Sequence, residues 1–164
     1  MAYNEHWPRW IQTSMGNHFK VVAENNSYPT IIEGIDERLT TFMEADNRVE
    51  IRITGPFAQE LSKDYWYFSV MANILIHSHM GGSLPNAYLA TEMAGKLAEA
   101  AADAIPVYKY GIGVDDDQSL IGCLLPKHGK KGGIKVFHFG EIDRENRLRQ
   151  VFVDAEYKME LDLT

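Results

Sequence analysis

At 164 residues the chain has the length of one domain with a core of its own, and its 45% hydrophobic and 24% charged content is ordinary for a globular protein. A formal net charge of −7 argues against broad nucleic-acid affinity, which needs a basic surface to displace counterions. No apolar run approaches the ~20 residues of a membrane span, and a lone cysteine, Cys123, excludes an internal disulfide.

The opening Met1-Ala2-Tyr3-Asn4-Glu5-His6 lacks a basic start and an apolar stretch, so no secretory signal is expected and a reducing interior is the expected place of synthesis. Residues 7–23 read as a helix. Pro8 suits its first turn, and Trp7, Ile11, Met15, Phe19 and Val22 recur at spacings of three or four. A turn cluster, Asn25 to Pro29, follows. A second helix is predicted from Thr30, with Thr30 as N-cap, Glu33 closing a capping box, and Ile31, Ile35, Leu39 and Phe42 as its stripe.

Residues 48–54 alternate as a half-buried strand with Val49, Ile51 and Ile53 inward, and Gly55-Pro56 is read as its end. Residues 57–64 are too polar for core and are expected to link this strand to the next through a short helical turn. Residues 65–79 then place Trp66, Phe68, Val70, Ala72, Ile74 and Ile76 on one unbroken apolar face. After a loop, residues 87–104 form a helix on which Leu89, Met93, Leu97 and Ala101 align, ended by Ile105-Pro106.

Residues 107–133 are interrupted by glycines and carry the acidic run Asp115-Asp116-Asp117, a short strand around Ile121 to Leu125, and a basic tip with Lys127, Lys130 and Lys131. A strand over 134–139 and a polar turn lead to residues 149–163. There Val151, Val153, Ala155, Tyr157, Met159, Leu161 and Leu163 share one face. At ~3.3 Å per residue each long strand reaches roughly 45–50 Å, beyond the usual strand of about 5–6 residues. Such strands bend, project from their own core, or continue into a neighbouring subunit. The order of elements predicts a single α+β domain over 1–164, an antiparallel sheet with two long strands and helices packed on one face.

Chemistry is thinly signalled. His77 and His79 form an H-x-H pair on one face of a strand, and with His128 or His138 they define the alternative of a small metal-binding domain. No carboxylate or cysteine stands at a matching ligand spacing. The glycine- and lysine-rich tip lacks the P-loop spacing, no serine has a nucleophile-elbow context, and Cys123 has no histidine partner by spacing. No cofactor is called for.

The N-terminal helix pair, the strand Arg48 to Thr54 with Gly55-Pro56, the long strand from Tyr65 to Ile76, the alanine-rich helix and the segment Val136 to Asp143 leading into the last strand resemble, in that order, bacteriophage tail terminator (tail completion) proteins of the virion neck. The resemblance covers most of the chain and rests on the order of elements. It implies a non-enzymatic structural protein, assembled in the host cytoplasm and located in the virion. It further implies a homo-oligomeric ring, usually of six copies, that caps the tail tube at the head–tail junction, touches tail tube and connector proteins, and lets genomic DNA pass without membrane contact. Relative to compact members, 107–133 reads as a loop insertion. A connector or stopper at the same junction is the near alternative. On the ring reading, subunit contacts fall to Tyr65, Tyr67, Met71 and Leu75 on the face of the long strand away from the core, with Arg48, Glu50 and Arg52 pairing charges across the ring. Lys127, Lys130 and Lys131 are the expected neighbour- or DNA-contacting loop, and Asp115, Asp116 and Asp117 the expected channel-facing acids.

Overall fold

The fold is taken from a computed structural model that describes residues 5–36, 42, 45–79, 88–109, 119–128, 133–143 and 148–163. It is mostly β, with 52% strand and 27% helix. Seven strands form a curled, half-barrel sheet, and two helices complete the described architecture. In chain order these are α1 (Trp7–Asn25), β1 (Thr30–Ile32), β2 (Arg48–Ser62), β3 (Tyr65–His79), α2 (Leu89–Ala101), β4 (Ile105–Tyr108), β5 (Leu120–Pro126), β6 (Lys135–Asp143) and β7 (Leu148–Asp162).

This corrects the expected α+β, wholly antiparallel class. The sheet is mixed, because β1 runs parallel to β2 with Thr30 opposite Val49 and Ile32 opposite Ile51. The helix predicted from Thr30 is replaced at its start by that strand. Thr30 is no N-cap: its hydroxyl donates to the Tyr28 carbonyl at 2.9 Å. Three consecutive buried residues, Thr30, Ile31 and Ile32, suit a strand covered on both sides, and the three-to-four spacing that suggested a helix was coincidental there. Leu39 of the predicted stripe lies outside the described residues.

Two further expectations fail at Gly55-Pro56. The strand does not stop there, and residues 57–62 continue it rather than forming a helical turn. The ladder to β3 slips between Thr54 and Phe57 and resumes with Phe57 opposite Ser69. Gly55 makes this passage possible. Its φ of +97° suits glycine, and a Cβ there would lie 2.9 Å from the Ser69 carbonyl oxygen. The β2–β3 turn is Lys63-Asp64, with Asp64 at a φ of 62°, a conformation Asp tolerates better than most residues.

The strand order is β1-β2-β3-β7-β5-β4, with β6 also pairing β7. One border of β7 is therefore shared: β6 covers Leu148 to Asp154, and β5 takes Tyr157 and Lys158. The short strand expected around Ile121 to Leu125 is β5, and β4, which begins at the Ile105-Pro106 read as a helix end, was not expected; both are built into the sheet, and Val107 and Leu124 are fully buried. The sheet has three strands of 15 residues, β2, β3 and β7, where two long strands were expected; the predicted faces of β3 and β7 hold. Phe68, Ala72, Ile74, Ile76, Val151, Val153 and Tyr157 meet both helices in one core.

Helix contacts are specific. Trp7 stacks on Phe68 with ring centroids 5.7 Å apart. The Tyr157 hydroxyl donates to the Ala101 carbonyl at 2.7 Å, and burial pushes that phenol's pKa upward. Gly16 lets α1 settle on β1, since a Cβ there would approach the Ile32 side chain to 2.5 Å. The helical propensity lost at this glycine is offset by that close approach.

Candidate functional site

The face of the sheet turned away from the helices is a set of cross-strand rows. Arg48, His77 and Gln150 form one row; Glu50, Leu75, Phe152 and Phe137 the next; Arg52, Asn73, Asp154 and Lys135 the third. Towards the other end come Thr54, Met71 and Glu156, then Phe57, Ser69 and Lys158, then Gln59, Tyr67 and Glu160. Because side chains alternate with a period of two, all seven residues expected at subunit contacts fall on this face. Arg48, Glu50, Arg52 and Leu75 lie near its base, Met71 in the middle, and Tyr65 and Tyr67 near the tip.

Their availability differs. Leu75 is only 4% exposed, so within one chain it is already covered. Met71 is 38% exposed, and Tyr67 is half-buried. Tyr65 donates to the Glu160 carboxylate at 2.6 Å, and that bond raises the phenol's pKa. The charged trio is engaged within the chain: the Arg52 guanidinium lies 3.1 Å from Glu33 and 3.3 Å from Glu50, and Arg48 donates to the Ala45 carbonyl at 3.4 Å. Glu50 is buried and matched by Arg52, which limits what the pair can offer a neighbour. In the third row, the Asn73 amide donates to the Asp154 carboxylate.

Among the described residues the pair His77 and His79 gains no third metal-ligating side chain. Gln150 Nε2 lies 3.0 Å from His77 Nε2, so the ring accepts that bond with its proton on Nδ1. Desolvation, with Arg48 and Arg52 nearby, lowers the His77 pKa to about 4. The same positive field opposes a bound cation. His138 stands opposite Val151 on the other face, and His128 lies 3.4 Å from Glu156, farther along β7. Among the described residues no three His, Cys, Asp or Glu side chains gather as a metal site.

Of the basic tip, Lys127 pairs with Glu156 at 3.7 Å. Lys130, Lys131, Asp115, Asp116 and Asp117 lie outside the described residues. No helix among the described residues is long and apolar enough to cross a membrane.

Sequence reasoning missed a set of exposed apolar residues on the sheet borders. On β2, Phe57 is 67% and Leu61 53% exposed. On β6, Val136, Phe137 and Phe139 are exposed, and Phe139 packs on Phe152 with centroids 4.7 Å apart. The run Val136-Phe137-His138-Phe139 was a visible signal, being more apolar than an exposed strand needs. Which strands form the borders was not visible, because that is set by pairing between distant segments.

Three concavities of about 190, 390 and 250 Å3 lie against α1. In the first, Ser14 and His18 are occupied structurally: Ser14 Oγ accepts the Tyr108 N–H at 3.0 Å, and His18 Nε2 lies 2.9 Å from the Ala100 carbonyl. No protein-family model matches the chain, and no curated protein matches it.

Proposed function

We propose that this chain is a structural subunit of a phage virion, a ring-forming tail terminator at the head–tail junction that ends the tail tube and contributes to the DNA channel. The order of elements that resembles that family motivates the reading. One structural observation supports it most: β2 runs past the helical layer, and its residues 57–62 are exposed throughout, with Phe57 and Leu61 bare. Exposed strand with large apolar side chains is an aggregation hazard unless a partner covers it. A closed ring covers such surfaces by symmetry. A net charge of −7 suits a lumen that must pass DNA without holding it.

The purified protein should form rings in negative stain and a single oligomer by light scattering. Added to polymerising tail tube protein, it should bind tube ends and shorten the tubes. Replacing Tyr67 and Met71 together by alanine should weaken assembly about tenfold or more while leaving the circular dichroism spectrum of the monomer unchanged. A protein that stays monomeric at high concentration, with no rings, overturns the reading. Rings that ignore tube ends move it to another ring of the neck, a connector or stopper.

A further inference from the structure

Among the described residues, residues 57–62 of β2 and the outer edge of β6 have no strand beside them, and they stand at diagonal corners of the sheet. Along one border β1 covers β2 only from Val49 to Ile51, and among the described residues no strand pairs with residues 57–62 on that side. Along the opposite border β5 covers the far end of β7, while β6 presents its outer edge. Each border carries bare apolar side chains: Phe57 and Leu61 on one, Val136, Phe137 and Phe139 on the other. What covers a strand edge must supply backbone donors and acceptors in strand geometry.

Direction identifies the partner. The path β2-β3-β7-β6 is antiparallel at every step and has an even number of strands, so β2 and β6 run oppositely. When a second copy is placed beside the first without being turned over, and displaced along the strands by about eight residues, roughly 26 Å, its β6 meets residues 57–62 of β2 antiparallel and the two sheets keep the same face outward. Antiparallel pairing is the slightly stronger ladder. In that arrangement the Glu60 end of β2 meets the Lys135 end of β6, opposite charges. A two-fold contact of β2 with β2 leaves both β6 edges bare, and one of β6 with β6 leaves both β2 edges bare. The head-to-tail junction covers both kinds of edge with one contact, and it closes into a ring when the strands incline to the ring axis so that the displacement lies in the ring plane.

We infer that neighbouring copies join head to tail through an intermolecular ladder between residues 57–62 of β2 in one copy and β6 of the next. This inference rests on the ring reading and specifies the contact that makes the ring. Pro56 has no N–H and bounds the ladder at the inner end of that β2 segment.

The test is thiol crosslinking in a Cys123→Ser background. Ala58 and His138 are exposed and share one face of the sheet, opposite Phe68 and Val151 respectively. Within one chain they are separated by roughly 30 Å along and across the strands, too far for a short crosslinker. The Ala58→Cys, His138→Cys double variant should give a ladder of covalent multimers up to the full ring with a short bis-maleimide, and each single variant alone should give none. A second pair on the other face, Gln59→Cys with Phe137→Cys, should behave alike and guards against a folding defect in the first. Dimers from either single variant mean a two-fold contact and overturn the inference. Rings that persist by light scattering without any ladder in both pairs overturn it while leaving the ring reading intact. Parent protein that stays monomeric with no rings ends both.

Discussion

The base and the tip of this sheet share one sequence pattern but differ in burial. At the base, Val49, Ile51, Ile74, Ile76, Val151 and Val153 alternate with polar residues and are wholly buried beneath α1 and α2. Towards the tip, Trp66 and Leu161 follow the same alternation yet are only partly buried, and residues 57–62 are exposed on both faces. Alternation assigns a residue to a face; it does not say how far the second layer extends over that face. The helices end the comparison where Trp7 reaches Phe68, the last fully buried residue of β3 before the tip.

The sharpest way to separate the two regions is a pair of aromatic truncations. Phe68→Ala at the covered end should cost about 3–5 kcal/mol in urea unfolding, the usual range for a buried phenylalanine. Phe57→Ala, two-thirds exposed, should stay within about 0.5 kcal/mol and act on assembly instead. Equal costs would mean the tip is as well packed as the base.

Next comes the passage between them. Gly55→Ala should destabilise by about 1–3 kcal/mol, because alanine is strained at this φ and its Cβ meets the Ser69 carbonyl. The loss should appear in hydrogen exchange as faster opening of residues 57–62 than of Val49 and Ile51. Uniform acceleration across β2 would show that base and tip open as one unit.

The base carries a pH dependence on the acid side. The folded-state pKa of His77 is lowered to about 4 from an ordinary 6.5. The unfolded chain therefore binds this proton more readily, so the contribution of His77 is fully present above about pH 6.5 and is lost as pH falls towards 4. Allowing for solvent screening of a partly exposed ring, the loss should be about 1–2 kcal/mol. His77→Gln should flatten the unfolding midpoint over that window. An unchanged acid limb would show that other groups control it.

The smallest effect belongs to the surface near the basic tip. Glu156→Gln, which loosens the contacts to Lys127 and His128, should change stability by under about 0.5 kcal/mol. A larger value would indicate that this loop is held more firmly than an exposed pair allows.

Much of the candidate site could be read from parity alone. Tyr65, Tyr67, Met71 and Leu75 lie on the face they were assigned, with Arg48, Glu50 and Arg52 beside them, because a period of two is a local property of the backbone. Whether that face is open at a given residue was not readable. Leu75 and Met71 are four positions apart on one face, and one is covered while the other is exposed. The pairing of Arg52 with Glu33 likewise joins β2 to the segment after β1, a partner that no spacing within 48–54 indicates.

From the residues alone followed α1, α2, the long strands β3 and β7 and the faces to which their side chains point, since these depend on neighbours within a turn or a few residues along a strand. Tertiary structure decided that Thr30 begins a strand, that β2 continues through Gly55-Pro56, and that residues 57–62 and the outer edge of β6 are left without a strand partner among the described residues. Those outcomes arise from hydrogen bonds between segments far apart in sequence, whose free energy outweighs local preference and leaves no periodic trace in the chain.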